Sequence, residues 1–129
     1  MSAEYSIQVD PSRDLVRIRM SGFFTHHDIE GFLAARRQAH AELTCRRNAH
    51  LTLNDLRAMK IQSQEIVDAF RAMLAAPEYR SRRLAFIVSS TLARSQLGRA
   101  LAGRDARCFE DPEAAERWLL SGKEESRAA

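Results

Sequence analysis

The chain has 129 residues, 45% of them hydrophobic and 29% charged, with a formal net charge of +3; these are the proportions of one ordinary globular domain. No apolar run approaches the ~20 residues that span a bilayer, and Met1-Ser2-Ala3-Glu4-Tyr5 lacks the basic and apolar regions of a signal peptide, so a cytoplasmic protein is expected. Lys60 and Lys123 are the only lysines, and the arginines are scattered among acidic residues rather than gathered on one arm, a pattern of solvated faces that argues against a nucleic-acid role.

Tyr5, Ile7 and Val9 alternate with Ser6 and Gln8, the period of a half-buried strand. Asp10-Pro11-Ser12-Arg13-Asp14 has turn chemistry, and Leu15 to Met20 alternates again, with Arg17 and Arg19 opposite Val16, Ile18 and Met20. Two such runs around a short polar turn predict an antiparallel hairpin with one face incompletely covered. Gly22 ends the second strand. Thr25, with Asp28 three residues on, predicts a capped helix start. Ile29, Phe32, Leu33, Ala39 and Leu43 continue it at helical spacing, to an end near Thr44 to Asn48.

A buried strand is expected from Ala49 to Asn54, followed by a polar turn from Asp55 to Ser63. Ser63 then caps a helix whose apolar face is Ile66, Val67, Phe70, Met73 and Leu74. After Pro77 and a charged connector, Leu84-Ala85-Phe86-Ile87-Val88 is a continuous apolar run, expected at the centre of the sheet. Ser89-Ser90-Thr91 caps a third helix carrying Leu92, Leu97, Ala100 and Leu101, with Gly98 inside it and Gly103 at its end. A short strand, Ala106 to Phe109, leads to Asp111-Pro112-Glu113, the clearest helix start in the chain. Ala115, Trp118 and Leu119 form that helix's buried face, and the polar residues from Ser121 to Ala129 are expected to fray.

The expected order is β-β-α-β-α-β-α-β-α: an α/β domain over residues 1–120, with a single mixed, mainly parallel sheet and crossover helices. Such sheets meet their ligands at the carboxyl ends of strands. Asn54 and Asp55 are expected there, with Ser63, Ser89, Ser90 and Thr91, as a crevice for a partner or a small polar ligand. Turn and capping chemistry accounts for the same residues without any ligand. Cys45 and Cys108 have no metal-ligand spacing and are expected to be free thiols. His26, His27, His40 and His50 invite a metal reading, but adjacent side chains on a helix diverge, so no metal and no cofactor are expected. There is no Gly-rich phosphate loop and no recognisable nucleophile–base pair, so enzymatic activity is not expected.

The apolar strand ending in Asn54, the connector, the Ser63 helix start and the segment Arg107-Cys108-Phe109-Glu110-Asp111 with its Ala115-Trp118-Leu119 helix together resemble the STAS domain, the SpoIIAA-like fold of bacterial anti-sigma factor antagonists. The resemblance implies a regulatory domain working by protein–protein contact, with a kinase-like or regulator partner, in which Ser63 occupies the position of a phosphorylated serine. That family's pattern has Asp before this serine and Gly shortly after it, where this chain has Gln62 and Gln64-Glu65. A carboxylate at Glu65 opposes a phosphate by like-charge repulsion, which reads as a degenerate phosphoserine switch with Ser63 serving as a helix cap. Some SpoIIAA-like proteins are similar in architecture to CRAL-TRIO lipid carriers. The alternative is therefore a small-molecule or lipid-binding domain, with an apolar pocket walled by Phe70, Met73, Phe86 and Leu97. Homo-oligomerisation is compatible with the sequence, and no feature decides it.

Overall fold

Residues that alternate between apolar and polar form the opening hairpin. In the computed structural model, which describes residues 2–90, 94 and 105–122, β1 (Glu4–Asp10) pairs antiparallel with β2 (Leu15–Gly22), from Glu4 opposite Ser21 to Asp10 opposite Leu15. A 3-10 turn over Pro11–Arg13 joins them. Asp14 closes it in the left-handed region at φ 54°, where a short polar side chain is tolerated.

β3 (Leu51–Met59), β4 (Arg83–Ile87) and β5 (Ala106–Phe109) add in parallel, so the five strands lie in the order β1-β2-β3-β4-β5. The expected mixed, mainly parallel sheet is therefore present. The central strand is β3, however, and not the apolar run of β4. β4 reads as fully buried because both of its faces are covered, which a strand beside the centre achieves equally well.

Three helices are described. α1 (His26–His40) and α2 (Gln64–Ala75) pack on one face of the sheet, where Ile29, Phe32 and Ile66 bury against Val16, Ile18 and Met20. α3 (Pro112–Ser121) covers the other face: Ala115, Trp118 and Leu119 lie on Leu15, Leu51, Leu53, Ala85 and Ile87. Burying a side chain of this size contributes about 1.5–3 kcal/mol, and these two layers form the core. α1 ends at His40, earlier than expected, because Glu42 and Leu43 bond back to Ala39 and His40 in tightened turns. The third expected helix (Leu92, Leu97, Gly98, Ala100, Leu101, with Gly103) and the expected fraying tail beyond Gly122 lie outside the described residues.

The other departure is the length of β3. The expected strand ended at Asn54, yet the ladder runs on to Met59, so most of the supposed polar turn is strand. Asp55 makes this possible. The pairing with β2 slips between Arg19 and Ser21, and the Asp55 carboxylate accepts from the Arg57 backbone N–H at 3.2 Å and from its Nε and Nη2 at 3.0 and 2.8 Å. The bulge is thus clasped by a local ion pair. The Arg57 guanidinium holds the Asp55 carboxyl below its ordinary range, and Arg19 adds a weaker pull.

Candidate functional site

Two connections meet at the carboxyl end of β2 and β3. Gly22, at φ 78°, turns the chain out of β2 in a conformation that favours glycine. Its carbonyl accepts the Lys60 N–H at 3.3 Å and Gln62 Nε2 at 2.9 Å. Gln62 Nε2 also donates to the Lys60 carbonyl at 2.6 Å, and its Oε1 accepts the Phe24 N–H at 2.8 Å. A primary amide offers two donors and an acceptor, and all three functions are used here. An aspartate at this position could accept from Phe24 but could donate nothing.

The cross-tied rim places two helix starts side by side. Thr25 and Asp28 form a reciprocal capping box: Thr25 Oγ1 accepts the Asp28 N–H at 3.1 Å, while Asp28 Oδ2 accepts the Thr25 N–H at 2.8 Å. The Thr25 N–H and, at 2.9 Å, the Thr25 hydroxyl both donate to the Asp28 carboxylate and lower its pKa. Ser63 is exposed, and its Oγ accepts the Ile66 N–H at 3.3 Å, which is the cap expected of it. Glu65 Oε2 lies 3.1 Å from His26 Nε2 of α1, so the carboxylate that would face a phosphate on Ser63 has a partner of its own. His26 meets this carboxylate rather than converging with His27.

Phe24 is buried, edge-on to Phe70 at 5.5 Å between ring centroids. Its neighbours on the rim point outward. Phe23 is 49% exposed and Ile61 is 90% exposed. Phe23 sits between Gly22 and Phe24, Ile61 between Lys60 and Gln62, and the flanking residues of the two segments are bonded to one another. Two large apolar side chains are therefore presented on adjoining, rigidly held segments. Neither was among the candidates; an apolar residue amid the polar run Lys60-Ile61-Gln62-Ser63 is the signal that could have found the second.

The remaining candidates do not converge. Asn54 and Asp55 are consecutive in a strand, so their side chains project from opposite faces, and both lie within β3 rather than at its end. Asn54 is 8% exposed, beneath the helices α1 and α2, between Ile18 and Phe86 in the ladder. Asp55 faces α3's side and is committed to Arg57. Ser89 and Ser90 are exposed after β4, and the Ser90 carbonyl accepts the Arg94 N–H at 3.1 Å. They lie on the far side of β3 from the Gln62 tie, and Thr91 lies outside the described residues.

A second feature escaped the sequence reading. His50, Thr52 and Asn54 form a buried polar row on the face of β3 beneath α1 and α2. Thr52 Oγ1 and Ser81 Oγ share a hydrogen bond of 2.6 Å, and Ser81 Oγ lies 3.3 Å from His50 Nε2. The His40 ring meets the His50 ring edge-on at 4.6 Å. The alternation in His50-Leu51-Thr52-Leu53-Asn54 carries this information, with polar residues on one face and leucines on the other. Asn54 Nδ2 has no hydrogen-bond partner among the described residues.

Comparison with known proteins identifies the architecture. No protein-family model matches the chain, and no curated protein matches it. Among solved structures, an uncharacterised DUF3478-family protein with a SpoIIAA-like fold from Shewanella loihica PV-4 superposes with a TM-score of 0.73 at 19% identity, covering 92% of this chain and 96% of that one. The fold of this chain is SpoIIAA-like. No helix of the described residues is long and apolar enough to cross a membrane.

Proposed function

We propose that this protein is a non-enzymatic regulatory domain that acts by protein–protein contact through the rim formed by Gly22–Thr25 and Lys60–Ser63. The observation that carries this reading is the 90% exposure of Ile61 beside the half-exposed Phe23, on segments that Gln62 holds in place. Exposed apolar side chains on pre-organised backbone lose little entropy on binding and anchor interfaces. Ser63 borders the patch. It serves as the cap of α2, and a phosphate there would add charge at a helix start, close to the apolar contact. In this reading Ser63 is a degenerate relic of a switch, and the apolar rim is the working surface.

The test is quantitative affinity capture from the cell of origin with wild type, Ile61→Asp, Phe23→Ser and Ser63→Ala, each checked for folding by circular dichroism. A defined protein retained by wild type and Ser63→Ala, and lost with the two rim variants, is the expected result. Capture indifferent to Ile61 and Phe23 would sink the reading. Intact-mass analysis of protein isolated from those cells tests Ser63 directly, and a stoichiometric phosphate would restore the switch.

One observation favours the second reading, a small-molecule or lipid-binding domain. Phe70 and Met73 on α2 are only partly buried, and the orphaned Asn54 amide lies on the same face of the sheet; Phe86 is fully buried there, and Leu97 lies outside the described residues. A ligand with an apolar body and one acceptor would meet both features. Native mass spectrometry of freshly purified protein distinguishes this reading by a co-purified mass.

A further inference from the structure

At the amino ends of β3 and β4, the end of the sheet opposite the rim, two connections run side by side: residues 41–50 from α1 into β3, and residues 76–82 from α2 into β4. Three hydrogen bonds join them. Asn48 Nδ2 donates to the Pro77 carbonyl at 3.1 Å, the Arg82 N–H to the His50 carbonyl at 2.7 Å, and Arg82 Nε to the Ala49 carbonyl at 3.2 Å. A turn closed by the Ala49 N–H on the Arg46 carbonyl, at 3.1 Å, carries Arg47 and Asn48 at its tip, with Asn48 in the left-handed region at φ 62°.

These ties bring together two arginine pairs that the sequence keeps apart. Arg46, Arg47, Arg80 and Arg82 are all exposed, and among the described residues no carboxylate lies within 4.0 Å of any of them. Glu42 and Glu78 are the only carboxylates in the two connections, so guanidiniums outnumber them two to one. Asp14, on the adjoining β1–β2 turn, bonds the Cys45 thiol. The carboxyl end of a helix favours cations only within its last turn. All four arginines lie beyond the ends of α1 and α2, so the helix dipoles do not account for this charge.

We propose that this patch docks an acidic segment of a partner protein, a run of Asp and Glu whose carboxylates meet the two arginine pairs. A guanidinium fork matches a carboxylate in two parallel bonds, and pairs of forks on two joined connections suit successive carboxylates of one extended segment. Glu42 and Glu78 interrupt the positive charge. The continuous phosphate backbone of a nucleic acid would have to pass them, whereas a peptide can set a neutral or basic side chain against each. The patch shares no residue with the rim and is independent of it.

The test is a backbone-amide NMR titration of the whole chain with capped hexaglutamate. Wild type is compared with Arg46→Gln/Arg47→Gln, Arg80→Gln/Arg82→Gln, Arg19→Gln and Ile61→Asp. Capped hexaglutamine, single-stranded oligo-dT and phosphatidylserine vesicles are run alongside. Saturable shifts over Arg46–Ala49 and Arg80–Arg82 are expected with hexaglutamate, and added salt should weaken them. Each double variant should weaken binding about tenfold. Arg82 also bonds Ala49, so Arg46→Gln/Arg47→Gln, which leaves every tie between the connections in place, separates lost charge from lost structure. Arg19→Gln, an exposed arginine of β2, and Ile61→Asp should bind as wild type does. Shifts that do not saturate or that centre elsewhere overturn the proposal, as does an equal loss in Arg19→Gln or equal binding of hexaglutamine. Tighter binding of oligo-dT or of the vesicles than of hexaglutamate makes this a phosphate surface and overturns it as well.

Discussion

The side-chain carbonyl of Gln62 accepts the backbone N–H of Phe24 at 2.8 Å, across 38 residues of sequence, while its amide nitrogen donates to Gly22 and Lys60. One polar side chain thus sets the position of two helix starts and of the apolar rim between them. Gln62→Ala removes all three bonds and takes from the part-buried Phe24 N–H its acceptor, while the Gly22 carbonyl keeps the Lys60 N–H. It should destabilise the fold by about 1–3 kcal/mol, read as a lowered urea midpoint with an unchanged slope. Gln62→Glu keeps the acceptor for Phe24 but loses both donations, and should fall between wild type and Gln62→Ala.

The pair Arg17–Glu116 is the corresponding tie on the other face, joining β2 to α3. Both side chains are about a third exposed, so solvent weakens the attraction. A double-mutant cycle with Arg17→Met and Glu116→Gln should give a coupling of about 1 kcal/mol, reduced by added salt. A coupling near zero would show that α3 is held by Ala115, Trp118 and Leu119 and by the Arg83 guanidinium, which donates to the Leu119 carbonyl at 3.0 and 2.8 Å, without help from this pair.

His40 makes stability depend on pH. Burial, then the neighbouring His50 and Arg36, push its pKa from 6.5 down to about 4. The folded state therefore resists a proton that the unfolded chain accepts, and the unfolded state binds more protons between those two values. Stability should fall as pH drops from about 6.5 towards 4 and level off below that. Urea titrations across the window should show this slope, and His40→Phe should flatten it.

Asn54 tests the reading of the buried row. Among the described residues its Nδ2 has no compensating bond for its desolvation, so Asn54→Leu should be neutral or stabilising by up to about 1–2 kcal/mol in thermal unfolding. Thr52→Val removes the 2.6 Å bond to Ser81 and should cost about 1 kcal/mol. A strongly destabilised Asn54→Leu would mean that the amide has a partner in solution.

The local signals were legible. Thr25 with Asp28, Ser63, and Asp111 with Pro112 each mark a helix start, because a cap involves residues within one turn of each other. Tyr5 to Met20 predicts its own hairpin, because the turn is short and the period is two. The candidate site was less legible. Ser63 stands where it was expected, whereas Asn54 and Asp55 were expected at the strand's end and the start of a polar turn, and proved to lie inside the strand on opposite faces.

By itself, then, the sequence determined the identity and order of the described elements, their caps and their apolar faces, all of which depend on contacts between near neighbours. Tertiary structure alone decided that β3 continues to Met59, that Gln62 ties two connections, and that Arg17 of β2 meets Glu116 of α3. Each of these depends on a partner far away in the chain. β3 continues because β2 pairs with it, Gln62 is useful because Gly22 and Phe24 come within reach, and Arg17 finds Glu116 because α3 packs on the face of the sheet that Arg17 shares. Pairings over such separations leave no local pattern to read.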